Sequence, residues 1–209
     1  MDKMRESPGM STKFKILNLA VADFIVRTAY QMGKTPLLPL FAAGLGANAT
    51  FLGFIVSAST LTGMLLKPLF GFLSDRLGRW VWYFIGTLLF SIVPFFYLWI
   101  ETAHQLLMLR LLHGTATAIY GPVTVAWVIE QGKEEGGIDS NCAERLGWFG
   151  MARSAGYMLG PALAAALLTV FEPEVVFVAI GFFSTSAFLP VLLLKNLSKI
   201  GRASCRERV

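Results

Sequence analysis

Apolar residues in this chain come in long runs, not in the two-residue alternation of a strand or the single stripe of a water-soluble helix. Six stretches, 14–40, 51–72, 80–100, 106–129, 146–170 and 175–194, match the length a helix needs to cross a hydrocarbon layer. The third and sixth are almost uninterrupted, and the first is the most polar. Hydrocarbon cannot satisfy an unpaired backbone amide, so each stretch is predicted to be a helix. The missing period-two pattern excludes a membrane barrel. Turn residues separate the stretches, as at 44–48 and at Glu172-Pro173-Glu174, and only the connection 131–145 is long. The predicted architecture is an all-α membrane protein with six transmembrane helices. It divides into an N-terminal segment 1–13, a six-helix bundle 14–195 and a tail 196–209.

Composition agrees. Hydrophobic residues make up 55% of 209 and charged residues 15%, against about 25% charged in ordinary globular domains. The mean hydropathy is +0.62. One soluble core of this size cannot hide that much apolar surface. Disorder is excluded by the same figures, and a disulfide scaffold by the presence of only two cysteines.

The net charge of +5 leaves nucleic acid, an acidic partner or a membrane surface open, until the placement of the bases is read. Lys3, Arg5 and Lys13 precede the first stretch and Lys15 lies at its very start; Arg76 and Arg79 lie between the second and third; Lys133 and Arg145 lie between the fourth and fifth. Lys195, Lys199, Arg202, Arg206 and Arg208 follow the sixth. The alternate connections hold Glu101, Glu172 and Glu174 and no Lys or Arg. This asymmetry places both termini in the cytoplasm of a plasma-membrane protein and removes the case for nucleic acid. No cleavable signal peptide is expected. Cys142 and Cys205 fall on the cytoplasmic side, where reduced thiols are expected.

Charges also lie inside the stretches: Asp23, Arg27, Lys34, Lys67, Arg110 and Arg153. Each costs at least ~2.5–3.5 kcal/mol at a bilayer centre, which argues against facing lipid. Asp23, Arg27, Tyr30, Gln31 and Lys34 fall within an arc of about 100° on a helix, and Arg110, His113, Thr117, Gly121 and Thr124 within about 80°. Two polar stripes point to a shared hydrated cavity. The plainer reading makes Asp23–Arg27 a self-neutralising i,i+4 pair and lets Lys34 snorkel to the interface. His113 fits either a bond between helices or a proton carrier.

Between the second and third stretches stands Gly71-Phe72-Leu73-Ser74-Asp75-Arg76-Leu77-Gly78-Arg79, a Gly-bounded turn with one acid and two bases. In such a turn Asp75 could face the positive N-terminus of a neighbouring helix, and the arginines could contact helix C-termini or lipid phosphates. It closely resembles the loop signature of the major facilitator superfamily of secondary transporters. Leu109-Arg110 with Gly114 resembles that family's fourth-helix motif, whose arginine is associated with proton coupling. Gly147, Gly156 and Gly160-Pro161 resemble its antiporter motif, with Ala164-Ala165 where a glycine pair is common. Generic small-residue packing is the alternative there. Pro36-Leu37-Leu38-Pro39 and Glu144-Arg145 also resemble family members of the exporter type.

The resemblance covers about residues 14–195 and implies the N-terminal half of a fold made of two six-helix halves, each an inverted three-plus-three repeat. The C-terminal six-helix half is then the missing partner. Residues 200–209 resemble translated adaptor read-through and are set aside from the fold; a basic tail on anionic lipid is the alternative.

The implied function is proton-coupled antiport that exports small amphipathic or cationic molecules by alternating access. Asp23, Arg27, Gln31, Lys34, Arg110, His113 and Thr117 are the expected cavity residues. Gly71, Asp75, Arg76, Gly78 and Arg79 form the expected cytoplasmic gate, and Gly147, Gly156, Gly160 and Pro161 shape the fifth helix. A facilitator or symporter of a polar or anionic solute is the alternative, because bases outnumber acids in the cavity; so is a fragment that transports nothing. The expected partners are a small-molecule substrate, protons and the lipid bilayer. Metal-ligand spacings, a phosphate loop and a Ser/His/Asp framework are all missing, so no enzyme activity, metal or cofactor is expected.

Overall fold

The computed structural model describes residues 8–133 and 142–194. Cys205, the segment 200–209 and the rest of 1–7, 134–141 and 195–209 lie outside the described residues. The described chain is helical: α1 (Pro8–Met32), α2 (Leu38–Gly44), α3 (Ala49–Leu77), α4 (Arg79–Phe96), α5 (Ala103–Lys133), α6 (Cys142–Leu168) and α7 (Pro173–Thr185). α1 and α2 together make the first pass, and the other five helices make one pass each.

Two proline effects reshape passes that read as continuous. Thr35, just before Pro36, is extended at φ −145°, ψ 122°, because the proline ring crowds a helical conformation there. The stretch 14–40 is therefore two helices across a break at Gly33–Leu37. In the last pass, Pro190 has no N–H to return to the Ser186 carbonyl. A turn follows Thr185, with Ser186 N–H bonded to Phe183 O at 3.2 Å, before the helix resumes to Leu194. The other boundaries follow from local chemistry. The Asn48 side chain caps α3 by accepting from Phe51 N–H at 2.8 Å, and α7 opens on Pro173 with Glu174 in its first turn.

The span Ala49–Leu77, the span Arg79–Trp99 and the span Pro173–Leu194 are long and apolar enough to cross a membrane by length and composition. α1, α5 and α6 have the length but carry Asp23, Arg27, Arg110 and Arg153, the first three of which are buried within the bundle. α3 lies along α5, α1 along α6, and α4 against both α5 and α7. Exchanging the first three passes with the last three converts the α3–α5 seam into the α6–α1 seam and maps α4–α7 onto itself, as an inverted repeat requires.

Two aromatic cores follow one another along the bundle. One gathers Tyr83, Phe90, Tyr120 and Trp127; the other gathers Phe41, Tyr97 and Phe177, with the last two rings stacked at 3.8 Å. Outside them Phe54, Leu65, Phe182 and Leu189 are exposed, and Met158 is 73% exposed. That arrangement reverses a water-soluble surface and suits a hydrocarbon surround.

Candidate functional site

Asp23 is fully buried and is held by two arginines. Arg153 of α6 grips it in a fork, Nε to Oδ2 at 2.9 Å and Nη2 to Oδ1 at 3.1 Å. Arg27, one turn along α1, stands with Nε 3.5 Å from Oδ1. A bidentate guanidinium–carboxylate pair fixes orientation as well as charge. Arg153 also donates to Thr124 Oγ1 of α5 at 2.9 Å, so one guanidinium ties three helices. The Arg27 guanidinium lies 5.6 Å and 6.0 Å from the Tyr120 and Tyr157 ring centres. Tyr120 donates to Tyr83 Oη at 3.0 Å behind it.

Farther along α1 a second group surrounds Tyr30. Arg110, also buried, donates through Nη2 to Ser59 Oγ of α3, and Tyr30 Oη lies 3.3 Å from the same hydroxyl. Lys34 Nζ is 3.4 Å from Thr60 Oγ1 and 5.8 Å from the Tyr30 ring centre. The His113 ring packs edge-on against Tyr30 at 5.1 Å and Phe90 at 5.4 Å, and neither of its nitrogens has a hydrogen-bond partner.

The seams that position these groups are made of small residues. A Cβ on Gly160 would stand 2.8 Å from Thr28 O and 2.7 Å from Gln31 Cβ; one on Gly156 would stand 3.0 Å from Phe24 O. On the α3–α5 seam, a Cβ on Gly114 would come 2.9 Å from Ser59 O. Only hydrogen at these positions lets the helix backbones meet and brings Arg153 to Asp23 and Arg110 to Ser59.

At the α3–α4 corner the helix continues through Leu77, so the turn read at 71–79 narrows to Gly78, at φ 94° and ψ 132°. Asp75 is exposed and pairs, across the Gly78 break, with the side chain of Arg79, the first residue of α4, at 3.3 Å. Arg79 Nε reaches Glu130 Oε2, near the end of α5, at 3.1 Å. Arg76 lies over the Phe72 ring at 4.3 Å.

The family model described as Major Facilitator Superfamily matches residues 19–204. The chain belongs to the major facilitator superfamily. As a superfamily member it is an integral membrane protein from a family of transporters, not of enzymes. Among its relatives is "Multidrug resistance protein 1" of Bacillus subtilis, 27% identical over 161 residues, which are 77% of this chain and 40% of that protein. "Quinolone resistance protein NorA" of Staphylococcus aureus is 25% identical over 135 residues, 65% of this chain and 34% of that protein. The matched region thus spans well under half the length of these relatives.

Within this superfamily chain, the expected single cavity set divides in two. Asp23 and Arg27 join Arg153, whereas Lys34, Arg110 and His113 gather around Tyr30. Gln31 and Thr117 belong to the seams: Gln31 packs beside Gly160, and Thr117 donates to its own Gly114 carbonyl at 2.8 Å. Pro161 follows Gly160 inside α6, while nothing lies within 4 Å of a Cβ on Gly147.

Sequence reasoning placed Arg153 in a span but missed it as the partner of Asp23. The signal was present, since Arg153, Gly156 and Gly160 share one face of α6 at helical spacing. Ser59 and Glu130 were also missed, and a lone serine or helix-end glutamate offers no pattern to find.

The signature glycines are expected to differ in tolerance. Gly78→Ala should cost about 1–3 kcal/mol, because its backbone conformation is nearly exclusive to glycine. Gly71→Ala, with nothing within 4 Å of its Cβ, should stay within about 0.5 kcal/mol. Thermal unfolding of the two purified variants in one detergent checks the contrast.

Proposed function

We propose that this bundle is the N-terminal half of a proton-coupled exporter of small amphipathic molecules in the cell membrane, with both termini cytoplasmic. One observation carries the reading: Asp23 is the one carboxylate among the described residues deep within the helices, and two arginines from two helices compete for it. A carboxylate so placed couples charge to packing. With the proton off, it locks α1 to α6 through Arg153. With the proton on, the fork loses its charge, and Arg153 keeps only Thr124. Proton entry and helix rearrangement then become one event, and a second half supplies the opposing wall of the cavity.

The relatives named for multidrug and quinolone resistance support export of drug-like molecules. Bases clustered at alternate connections support the orientation. The Asp75–Arg79–Glu130 chain at the α3–α4 corner suits a cytoplasmic latch, since its exposed ion pairs are weak enough to exchange.

Inverted vesicles containing the complete transporter, with a fluorescent quinolone as the probe, test this. Acidifying the vesicle interior should drive quinolone inward, and a protonophore should stop it. Asp23→Asn should abolish the gradient-driven component. Accumulation that ignores the protonophore would sink the proposal.

A further inference from the structure

The second polar group raises a question that proton coupling by Asp23 leaves unanswered: what neutralises Arg110 and Lys34? Arg110 is 1% exposed, yet the groups it bonds among the described residues are hydroxyls, those of Ser59, Tyr97 and Tyr30, and its Nε has no partner. Lys34 has the Thr60 hydroxyl. Both cations lie against the Tyr30 ring, at 5.9 Å and 5.8 Å from its centre. Neither is paired with a carboxylate among the described residues, and Asp23 is already held by Arg27 and Arg153. Beside them both nitrogens of buried His113 lack a partner.

A buried charge without a counter-charge is costly in a low-dielectric setting, and a guanidinium facing only hydroxyls and rings is under-satisfied. Four features therefore converge on one place: a pre-oriented guanidinium, a mobile ammonium on a flexible stem, unpartnered imidazole nitrogens and an aromatic face. Arg supplies planar recognition of an oxyanion, and Lys a movable point charge. The Tyr30 ring, backed edge-on by the buried Phe90, supplies the aromatic face for an apolar body.

We infer that Arg110, Lys34, Tyr30 and His113 form a subsite for the anionic group, a carboxylate or sulfonate, of an amphipathic aromatic substrate. The inference rests on the export reading and specifies its substrate class. A cationic substrate would meet two uncompensated positive charges here, which repel it and leave the guanidinium unsatisfied. The anion would bridge Arg110 and the Lys34 ammonium, with its ring against Tyr30.

Two probes of matched shape and opposite charge decide the matter: 1-naphthaleneacetate and 1-naphthylmethylammonium. Binding to the full chain in phosphatidylcholine nanodiscs is measured by equilibrium dialysis, with empty nanodiscs subtracted. Naphthaleneacetate should bind at least about tenfold more tightly than the ammonium, the worth of one charge-assisted hydrogen bond.

Lys34→Gln, at a half-buried position that leaves the seams untouched, should weaken naphthaleneacetate about tenfold. Lys34→Glu should remove or reverse the preference. Arg110→Lys, which keeps the charge but loses the fork, should weaken it to an intermediate degree. Equal binding of the two probes, no saturable binding of naphthaleneacetate, or a preference that Lys34→Glu leaves unchanged would each overturn the subsite. Because binding is read at equilibrium without a pH gradient, its failure leaves proton coupling standing, and loss of coupling leaves the binding result standing.

Discussion

Asp23→Asn is expected to destabilise the bundle by about 3–5 kcal/mol, a loss visible as a large fall in the thermal unfolding midpoint in detergent. The carboxylate is fully buried, and its removal leaves Arg153 and Arg27 as two like charges without a counter-ion. An unpaired buried charge costs more than the pair contributed, because desolvation is no longer offset. Arg153→Gln should therefore cost less than Asp23→Asn, since Asp23 keeps Arg27 at 3.5 Å and the cluster becomes neutral. For the same reason the double variant Asp23→Asn with Arg153→Gln should fall short of the sum of the two single losses. Coupling of about 0.5–3 kcal/mol is the range for contacting residues. An Asp23→Asn protein as stable as the parent, or strictly additive losses, would show that the fork does not hold α1 to α6.

The second large effect is steric. Gly160→Leu should prevent folding, and Gly160→Ala should cost about 1–3 kcal/mol despite the better helix propensity of alanine. The added Cβ would meet the Thr28 carbonyl at 2.8 Å and Met32 N at 3.1 Å, both backbone atoms of α1 that no rotamer change can move. Relief requires the helices to separate, which pulls Arg153 away from Asp23. Gly147→Ala on the same helix meets nothing within 4 Å and should stay within about 0.5 kcal/mol. Yield of folded protein and thermal midpoints of the three variants give the comparison. Equal tolerance at positions 147 and 160 would contradict the seam.

The two effects are linked through one helix face. Gly156 and Gly160 bring the backbones together, and Arg153, on the same face, then meets its acid. The glycine motif could be read from the chain, but which of its glycines bears on contact could not. Gly156 and Gly160 face α1, whereas Gly147 lies beyond the contact, and spacing alone treats all three alike. The polar stripes fared similarly. Helical spacing put Asp23 and Arg27 on one side of their helix, and likewise Arg110 and His113. In the structure they lie in two groups at different depths along α1, and Gln31 and Thr117 lie beside the glycine seams.

What the sequence by itself determined is the class of solvent and the number of passes. Hydrophobic length and charge asymmetry are one-dimensional quantities, and a bilayer reads them in one dimension. The family also lay within its reach, because the corner signature consists of neighbours along the chain. Only the tertiary structure decided the pairings across helices: Asp23 with Arg153, 130 residues apart; Arg110 with Ser59, 51 apart; Arg79 with Glu130. Each depends on how closely two helices approach and at what rotation, and that is set by glycines meeting a neighbour's backbone. Buried charges make those choices matter, since in a low-dielectric interior the difference between a paired and an unpaired arginine is several kcal/mol.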